Sequence, residues 1–315
     1  MDALDTILRS IQIEAAIVSR SRLRTPWALQ TAGSPDPIFH AVVEGRMWVQ
    51  RDSDDRGYEL AAGEAILLPR GDGHVLADGP ATPPVPRGSQ RELRDGNGFP
   101  LLEHGGEGAE TRILSGTFQF HGDVAGTLRD LLPPLVVARA PGDAERDALA
   151  TTLRLLDGEL DIAQAGSSVV LERLTAIVFV HLLRHIARAN DGDPEAGWFS
   201  AITDEHIGRT LALMHGEPAA PWSLDQLAGR VGLTRSSFCE RFTRLVGESP
   251  TRYLARWRSA TAADLLREQR TLSVAAIAHQ VGYGSEDAFS RAFRRYVGVT
   301  PGRFRRLSGA LSRPA

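Results

Sequence analysis

The chain has 315 residues, of which 42% are apolar and 24% charged, which excludes a mainly disordered chain and allows a core without metals or disulfides. Two domains are expected at this length. The formal net charge of −3 hides an asymmetry: residues 206–315 hold 17 Arg against 8 acids, a net of +9, and residues 1–205 hold 19 Arg against 31 acids, a net of −12; a basic rear of this kind suggests nucleic-acid binding there.

The N-terminus, Met1-Asp2-Ala3-Leu4-Asp5, is acidic where a signal peptide needs positive charge. Residues 1–140 read as β-rich. Ile38–Gln50 holds an apolar run, then Gly45, then Met47-Trp48-Val49; Leu60 and Ala65–Leu68 follow, with Gly63 between them. Short apolar runs punctuated by Gly and Pro predict a barrel or sandwich of antiparallel strands. Residues 79–110 are polar and rich in Pro and Gly, which predicts a long loop. Ile113–Phe120 is a further strand.

Helical periodicity begins near Asp143, where Leu149, Leu153, Leu156 and Leu160 sit at helical spacing. A second helix over Ser168–Ala189 is apolar on more than one side, through Leu171, Leu174, Ile177, Val178, Val180, Leu182 and Ile186. Such a helix needs burial on several faces, between domains or against a second copy of the chain. His181 and His185 on it have the i,i+4 spacing that can serve a metal. They lack the Glu of a protease motif and read as helix packing. The apolar stretch Leu174–Leu183 is far shorter than the about 20 residues of a spanning helix. Asn190–Gly197 reads as a loop and a domain boundary. The one cysteine, Cys239, excludes an intramolecular disulfide, and a soluble protein of a reducing cytoplasm is expected.

The C-terminal part is duplicated. The first copy runs Ser223-Leu224-Asp225-Gln226-Leu227-Ala228, then Val231-Gly232, Phe238, Phe242, Gly247 and Pro250. The second runs Ser273-Val274-Ala275-Ala276-Ile277-Ala278, then Val281-Gly282, Phe289, Phe293, Gly298 and Pro301. The offset is 50 residues up to the glycine and 51 after it, with one residue inserted near Tyr283–Ser285. Each copy has the grammar of a helix-turn-helix. Ser223 caps a short helix, and Gln226 completes a capping box. Gly232 supplies the tight turn, and Thr234 caps the next helix. Ser273 and Ser285 are the caps of the second copy. Phe238, Phe242 and Leu245 form one inward face, and Phe289, Phe293 and Tyr296 the other. A long helix joins the copies, with Ser249 as its cap, Pro250 in its first turn, and Tyr253, Leu254, Trp257, Leu265 and Leu266 buried. About 18 residues at about 1.5 Å each span roughly 27 Å. Major grooves on one face of DNA recur every ~34 Å, so such a helix can hold two reading heads in successive grooves.

Residues 222–306 resemble the DNA-binding domain of the AraC/XylS family of bacterial transcription regulators. The string Val281-Gly282-Tyr283-Gly284-Ser285-Glu286-Asp287-Ala288-Phe289-Ser290-Arg291-Ala292-Phe293, followed by Gly298-Val299-Thr300-Pro301, carries the resemblance. Helix geometry then separates core from groove. In the first reading helix the candidate DNA contacts are Ser236, Ser237, Cys239, Glu240, Thr243 and Arg244. In the second they are Asp287, Ser290, Arg291 and Arg294, and the resemblance adds Glu286. Arg291 suits a bidentate contact to a guanine edge, and Glu240 can accept from a cytosine amino group. Two alternatives stay open: Arg291 touching only phosphate, and Glu286 and Asp287 serving the helix dipole of a first turn. Cys239 reads as a small tolerated side chain, with a redox role as the alternative.

Arg24-Thr25-Pro26-Trp27, Phe39-His40-Ala41-Val42-Val43-Glu44-Gly45, Leu60-Ala61-Ala62-Gly63-Glu64 and Leu67-Leu68-Pro69-Arg70-Gly71-Asp72-Gly73-His74 resemble the cupin-type domain of one branch of that family. Later strings agree: Gly116-Thr117-Phe118-Gln119-Phe120, Leu131-Leu132-Pro133-Pro134-Leu135 and Gly197-Trp198-Phe199. Two readings stay open: His40 and His74 as hydrogen-bonded barrel residues, or His40 and His74 together with Trp27 lining an effector pocket, which suits a regulator. A metal-binding cupin offers two His one residue apart. Here Val42 stands where the second would be, so no metal is expected.

The expected fold is α+β: a cupin-like antiparallel β-barrel over 1–142, helices over 143–200 that can dimerise, and an all-α double helix-turn-helix domain over 201–315. The expected function is that of a sequence-specific DNA-binding regulator, read as an activator, whose barrel senses a small molecule or stress signal. The alternative is a metal-dependent cupin enzyme fused to a DNA-binding module. The implied partners are double-stranded operator DNA, RNA polymerase, an unidentified small-molecule effector and a second copy of the chain. No membrane partner, catalytic residue or cofactor is expected.

Overall fold

A computed structural model describes residues 12–86, 93–121, 132–139, 144–162, 164–189, 198–269 and 271–311. The chain divides into two compact units, one of residues 13–120 with 132–186, the other formed mainly by residues 187–315. The expected boundary at 142/143 and the loop Asn190–Gly197 lie outside the described residues.

The first unit holds twelve described strands: β1 (Gln12–Arg24), β2 (Ala28–Thr31), β3 (Ile38–Glu44), β4 (Arg46–Arg51), β5 (Gly57–Ala61), β6 (Ala65–Leu68), β7 (His74–Ala77), β8 (Val85–Pro86), β9 (Leu93–Arg94), β10 (Pro100–Gly105), β11 (Glu110–His121) and β12 (Val136–Ala138). They form a seven-stranded sheet, β12-β6-β3-β11-β1-β10-β9, and a five-stranded sheet, β5-β4-β7-β2-β8. Gly45, at φ 81°, turns the chain from β3 into β4. Leu23, Trp27, Val42, Met47, Leu60, Ile66 and Ile113 meet in one buried cluster between the sheets.

Two expectations change here. The stretch 79–110 is not one loop, since β8, β9 and β10 lie within it. Their apolar content is small, but Leu102 is buried and β10 pairs with β1 from Arg20↔Leu101 to Arg24↔Gly105. The sheets are also not wholly antiparallel, because β1·β10 and β2·β8 run parallel. β1 escapes a hydrophobic pattern because it buries polar residues, Arg20 and Ser21.

Two helices complete this unit, α1 (Ala144–Ile162) and α2 (Ser167–Ala189). Leu149, Leu153, Leu156 and Leu160 are buried, as the periodicity predicts. An ion cluster, buried at Arg20 and Asp157, fastens α1 to the strands. Arg20 pairs with Asp157 at 2.9 Å and Asp161 at 2.7 Å, and Arg112 reaches Asp157 at 3.2 Å. On α2, His181 and His185 are packed among neighbours, and burial lowers both imidazole pKa values. The division between units falls after Ile186, so most of the segment 143–200 groups with the barrel.

The second unit is all helical: α3 (Trp198–Thr203), α4 (Glu205–Gly216), α5 (Leu224–Arg230), α6 (Arg235–Val246), α7 (Pro250–Glu268), α8 (Val274–Gln280), α9 (Glu286–Val297) and α10 (Pro301–Leu311). Helices α5/α6 and α8/α9 are the two helix-turn-helices, and α7 joins them. No described helix is long and apolar enough to cross a membrane.

Candidate nucleic-acid interface

Local chemistry sets both heads. Ser223 and Gln226 form the reciprocal capping box at the start of α5. Thr234, Ser273 and Ser285 cap α6, α8 and α9 by accepting from backbone amides. Ser249 makes no such bond to α7; its hydroxyl lies 3.4 Å from that of Thr251, and Pro250 takes the first helical position, where its fixed φ suits the helix. Gly232 and Gly282 hold φ of 71° and 88° in the two turns, a region open to glycine without strain. Phe238 and Phe242 seal the first head, and Phe289 and Phe293 the second; all four are fully buried.

With those faces inward, the predicted contact residues fall outside. Ser236, Ser237, Glu240, Thr243 and Arg244 on α6 are exposed, and Cys239 is half-buried. On α9, Glu286, Asp287, Arg291 and Arg294 are exposed and Ser290 is half-buried. Among the described residues Arg244, Arg291 and Arg294 make no ion pair. Their guanidinium forks are therefore not held by the protein's own carboxylates. Glu286 and Asp287 occupy the first turn of α9, where carboxylates also suit the dipole. The 19 residues of α7 give about 28 Å between the heads.

Sequence reasoning missed two helices that support the first head. Ile207, Leu211 and Met214 are all fully buried along α4, at an i, i+4, i+7 spacing that a sequence scan could have found. Asp204 caps α4 by accepting from the amides of His206 and Ile207. The same carboxylate receives Arg241 of α6 at 2.9 and 2.6 Å, so one acid both starts α4 and anchors the reading helix. Burial alone would raise its pKa, but the bonds from Arg241 and the Ile207 amide outweigh it and hold the carboxyl below its ordinary value.

The barrel residues named from the sequence are all interior. Trp27 belongs to the apolar core. His40 on β3 and His74 on β7 are fully buried and face each other across the two sheets, with Nε2 atoms 2.8 Å apart. His74 Nδ1 lies 2.8 Å from the Asp72 carbonyl, and His40 Nδ1 2.7 Å from the Ser115 hydroxyl. A carbonyl only accepts, so neutral His74 carries its proton on Nδ1. Its Nε2 then accepts from His40, and His40 Nδ1 accepts from Ser115. All four ring nitrogens thus meet protein atoms. Among the described residues no group of three His, Cys, Asp or Glu side chains that could hold a metal forms, and a stable site takes about four donors.

Comparison with known proteins adds to this geometry. A family profile described as a cupin matches residues 2–188, and one described as a helix-turn-helix domain matches residues 227–307. A putative AraC-like transcription regulator of Streptomyces antibioticus is 33% identical over 312 residues, covering 97% of this chain and 99% of the relative. The HTH-type transcriptional regulator AlkR of Acinetobacter baylyi is 27% identical, over 98% of this chain and 100% of its own. Among solved structures, the DNA-binding domain of AdpA in complex with a target DNA is 28% identical over 35% of this chain and 97% of its own, with a TM-score of 0.33.

Proposed function

This chain belongs to the AraC family of DNA-binding transcription regulators, and we propose that it is a cytoplasmic activator whose two reading helices enter successive major grooves of an operator. The observation that carries this reading is the pair of capped, outward-facing helices α6 and α9 at opposite ends of one helix. Arg291 is assigned to a guanine edge and Glu240 to a cytosine amino group. Arg244 and Arg294 are assigned to phosphates. RNA polymerase is the partner that activation requires. The cupin domain is assigned to sensing a small molecule or stress signal. An effector that uses Trp27, His40 and His74 has to enter the barrel interior, since all three are buried.

A homodimer is part of the proposal. Leu155 and Ile162 on α1, and Val170 and Ile177 on α2, are 42–57% exposed. Each pair is spaced by two helical turns, so each helix carries an apolar stripe. Exposed apolar side chains aligned in this way suit an interface with a second copy.

Footprinting of the purified protein on its own upstream region tests the DNA reading. Two protected major-groove segments on one face of the duplex are expected. For each neutralised phosphate, log K should fall by about 0.9 per tenfold rise in salt. A flat salt response, or protection of a single groove, overturns the two-groove reading.

A further inference from the structure

Arg258 lies near the middle of α7, between the two heads. Its guanidinium donates from Nε to the Pro218 carbonyl at 2.7 Å and from Nη2 to the Ala220 carbonyl at 2.8 Å. Those carbonyls belong to the segment between α4 and α5, the lead-in to the first head. The same guanidinium sits over the Tyr283 ring, 5.7 Å from its centroid. Tyr283 follows Gly282 in the turn of the second head.

Gly282 explains why this joint is tight. A Cβ there would lie 2.8 Å from the Ala219 carbonyl oxygen and 2.9 Å from Arg258 Nη2. The lead-in of the first head is therefore seated on the turn of the second. The equivalent glycine of the first copy, Gly232, has nothing within 4 Å of a Cβ. Both glycines supply positive φ, but only Gly282 also admits the other head. The residue inserted in the second copy falls in this same turn, near Tyr283.

We propose that Arg258, with Gly282 and Tyr283, locks the two heads at one relative angle and so makes the protein selective for half-site spacing. One connection, α7 alone, lets two heads swivel, whereas a second connection closes the frame. A planar fork is needed, because it bonds two carbonyls while its face lies on an aromatic ring. Fixing the second head raises its effective concentration at a correctly spaced half-site and lowers it at others. Arg258 is thus a positioning residue for DNA reading. The inference rests on the two-groove reading proposed above.

The test uses full-length protein and a duplex selected by the wild type from a random pool. Two derivatives accompany it: one with a base pair inserted between the half-sites, and one with a half-site scrambled. The wild type is expected to lose about tenfold or more in affinity on the insertion, and Arg258→Ala about threefold or less. Both should bind the scrambled duplex equally, which shows that the remaining head is folded. Arg258→Lys keeps the charge and most of the volume and should also tolerate the insertion; it carries the test if the alanine variant does not fold. Wild-type spacing discrimination in either folded variant overturns the proposal, as does a wild type indifferent to the insertion. If the wild type binds the scrambled duplex as tightly as the selected one, the two-groove reading fails first and this inference goes with it.

Discussion

Acidification should loosen the first head through one histidine. His215, in the last turn of α4, is buried with its ring stacked on Trp257 at 3.8 Å. Its Nε2 meets the Tyr253 hydroxyl at 2.8 Å, and its buried Nδ1 has no hydrogen-bond partner. Burial, and then the nearby positive charge of Arg256, push its pKa down to about 3 from the ordinary 6.5. The folded pKa is depressed, so below pH 6.5 the unfolded chain binds a proton that the folded one refuses. Stability from this group is full above 6.5 and is lost as pH falls from there towards 3. Each pH unit in that window costs about 1.4 kcal/mol, so a change from pH 7.5 to 5 costs about 2 kcal/mol. Asp204 is held below its ordinary value and does not titrate in this range. Amide hydrogen exchange on the full-length protein, corrected for intrinsic rates, reads the change locally. Protection over residues 205–216 and 250–268 should fall about thirtyfold between the two pH values. His215→Phe keeps a ring on Trp257 and cannot titrate. Above pH 6.5 it should cost about 1 kcal/mol by leaving the Tyr253 hydroxyl short of this partner, and this deficit should vanish as pH falls towards 5 because the variant lacks the extra acid sensitivity. Equal pH dependence in the variant and the wild type would refute the assignment of a buried neutral imidazole.

Arg291→Ala should weaken operator binding by about 1–3 kcal/mol and relax the base preference at one position; a uniform loss across sequences would mean a phosphate contact instead. In a double-mutant cycle, Asp204→Ala should cost about 1 kcal/mol more than Arg241→Ala, because it also removes the cap of α4. Equal costs would leave Asp204 only the ion pair. Leu155→Glu with Ile177→Glu should shift sedimentation from dimer to monomer while the melting temperature stays the same, and a monomeric wild type would remove the dimer from the proposal.

The second unit was the legible one, because its information is local. Serine caps, turn glycines and phenylalanines at i, i+4 act within a few residues, so Phe238, Phe242, Phe289 and Phe293 could be placed from spacing alone. Ser249 shows the limit of that logic, since the residue type suits a cap that the structure does not make. In the barrel the outline of β3, β4, β6 and β11 was readable from apolar runs. β1 and β10 were not, because their pairing is parallel and non-local and β1 buries Arg20 against Asp157 of a helix 137 residues away. The His40–His74 contact likewise depends on two sheets meeting. No pattern in either strand announces it. Trp27 packs in the apolar cluster, and no local pattern announces that either.

The charge asymmetry also changes meaning once the arginines are placed. The count of +9 treats them alike, but the fold divides them. Arg235, Arg241, Arg252, Arg256 and Arg267 lie against Asp225, Asp204, Glu248 and Asp264, and Arg258 against backbone carbonyls. Four of these six project from α7, the element that fixes the distance between the heads. Arg244, Arg291 and Arg294 instead stand on the exposed faces of α6 and α9. An arginine held by a carboxylate has spent its fork and part of its field, so it adds little attraction for a phosphate. The positive charge available to DNA therefore lies on the reading helices and on the exposed Arg209, Arg230, Arg303 and Arg306 of α4, α5 and α10, while the arginines of α7 are largely engaged by the fold itself.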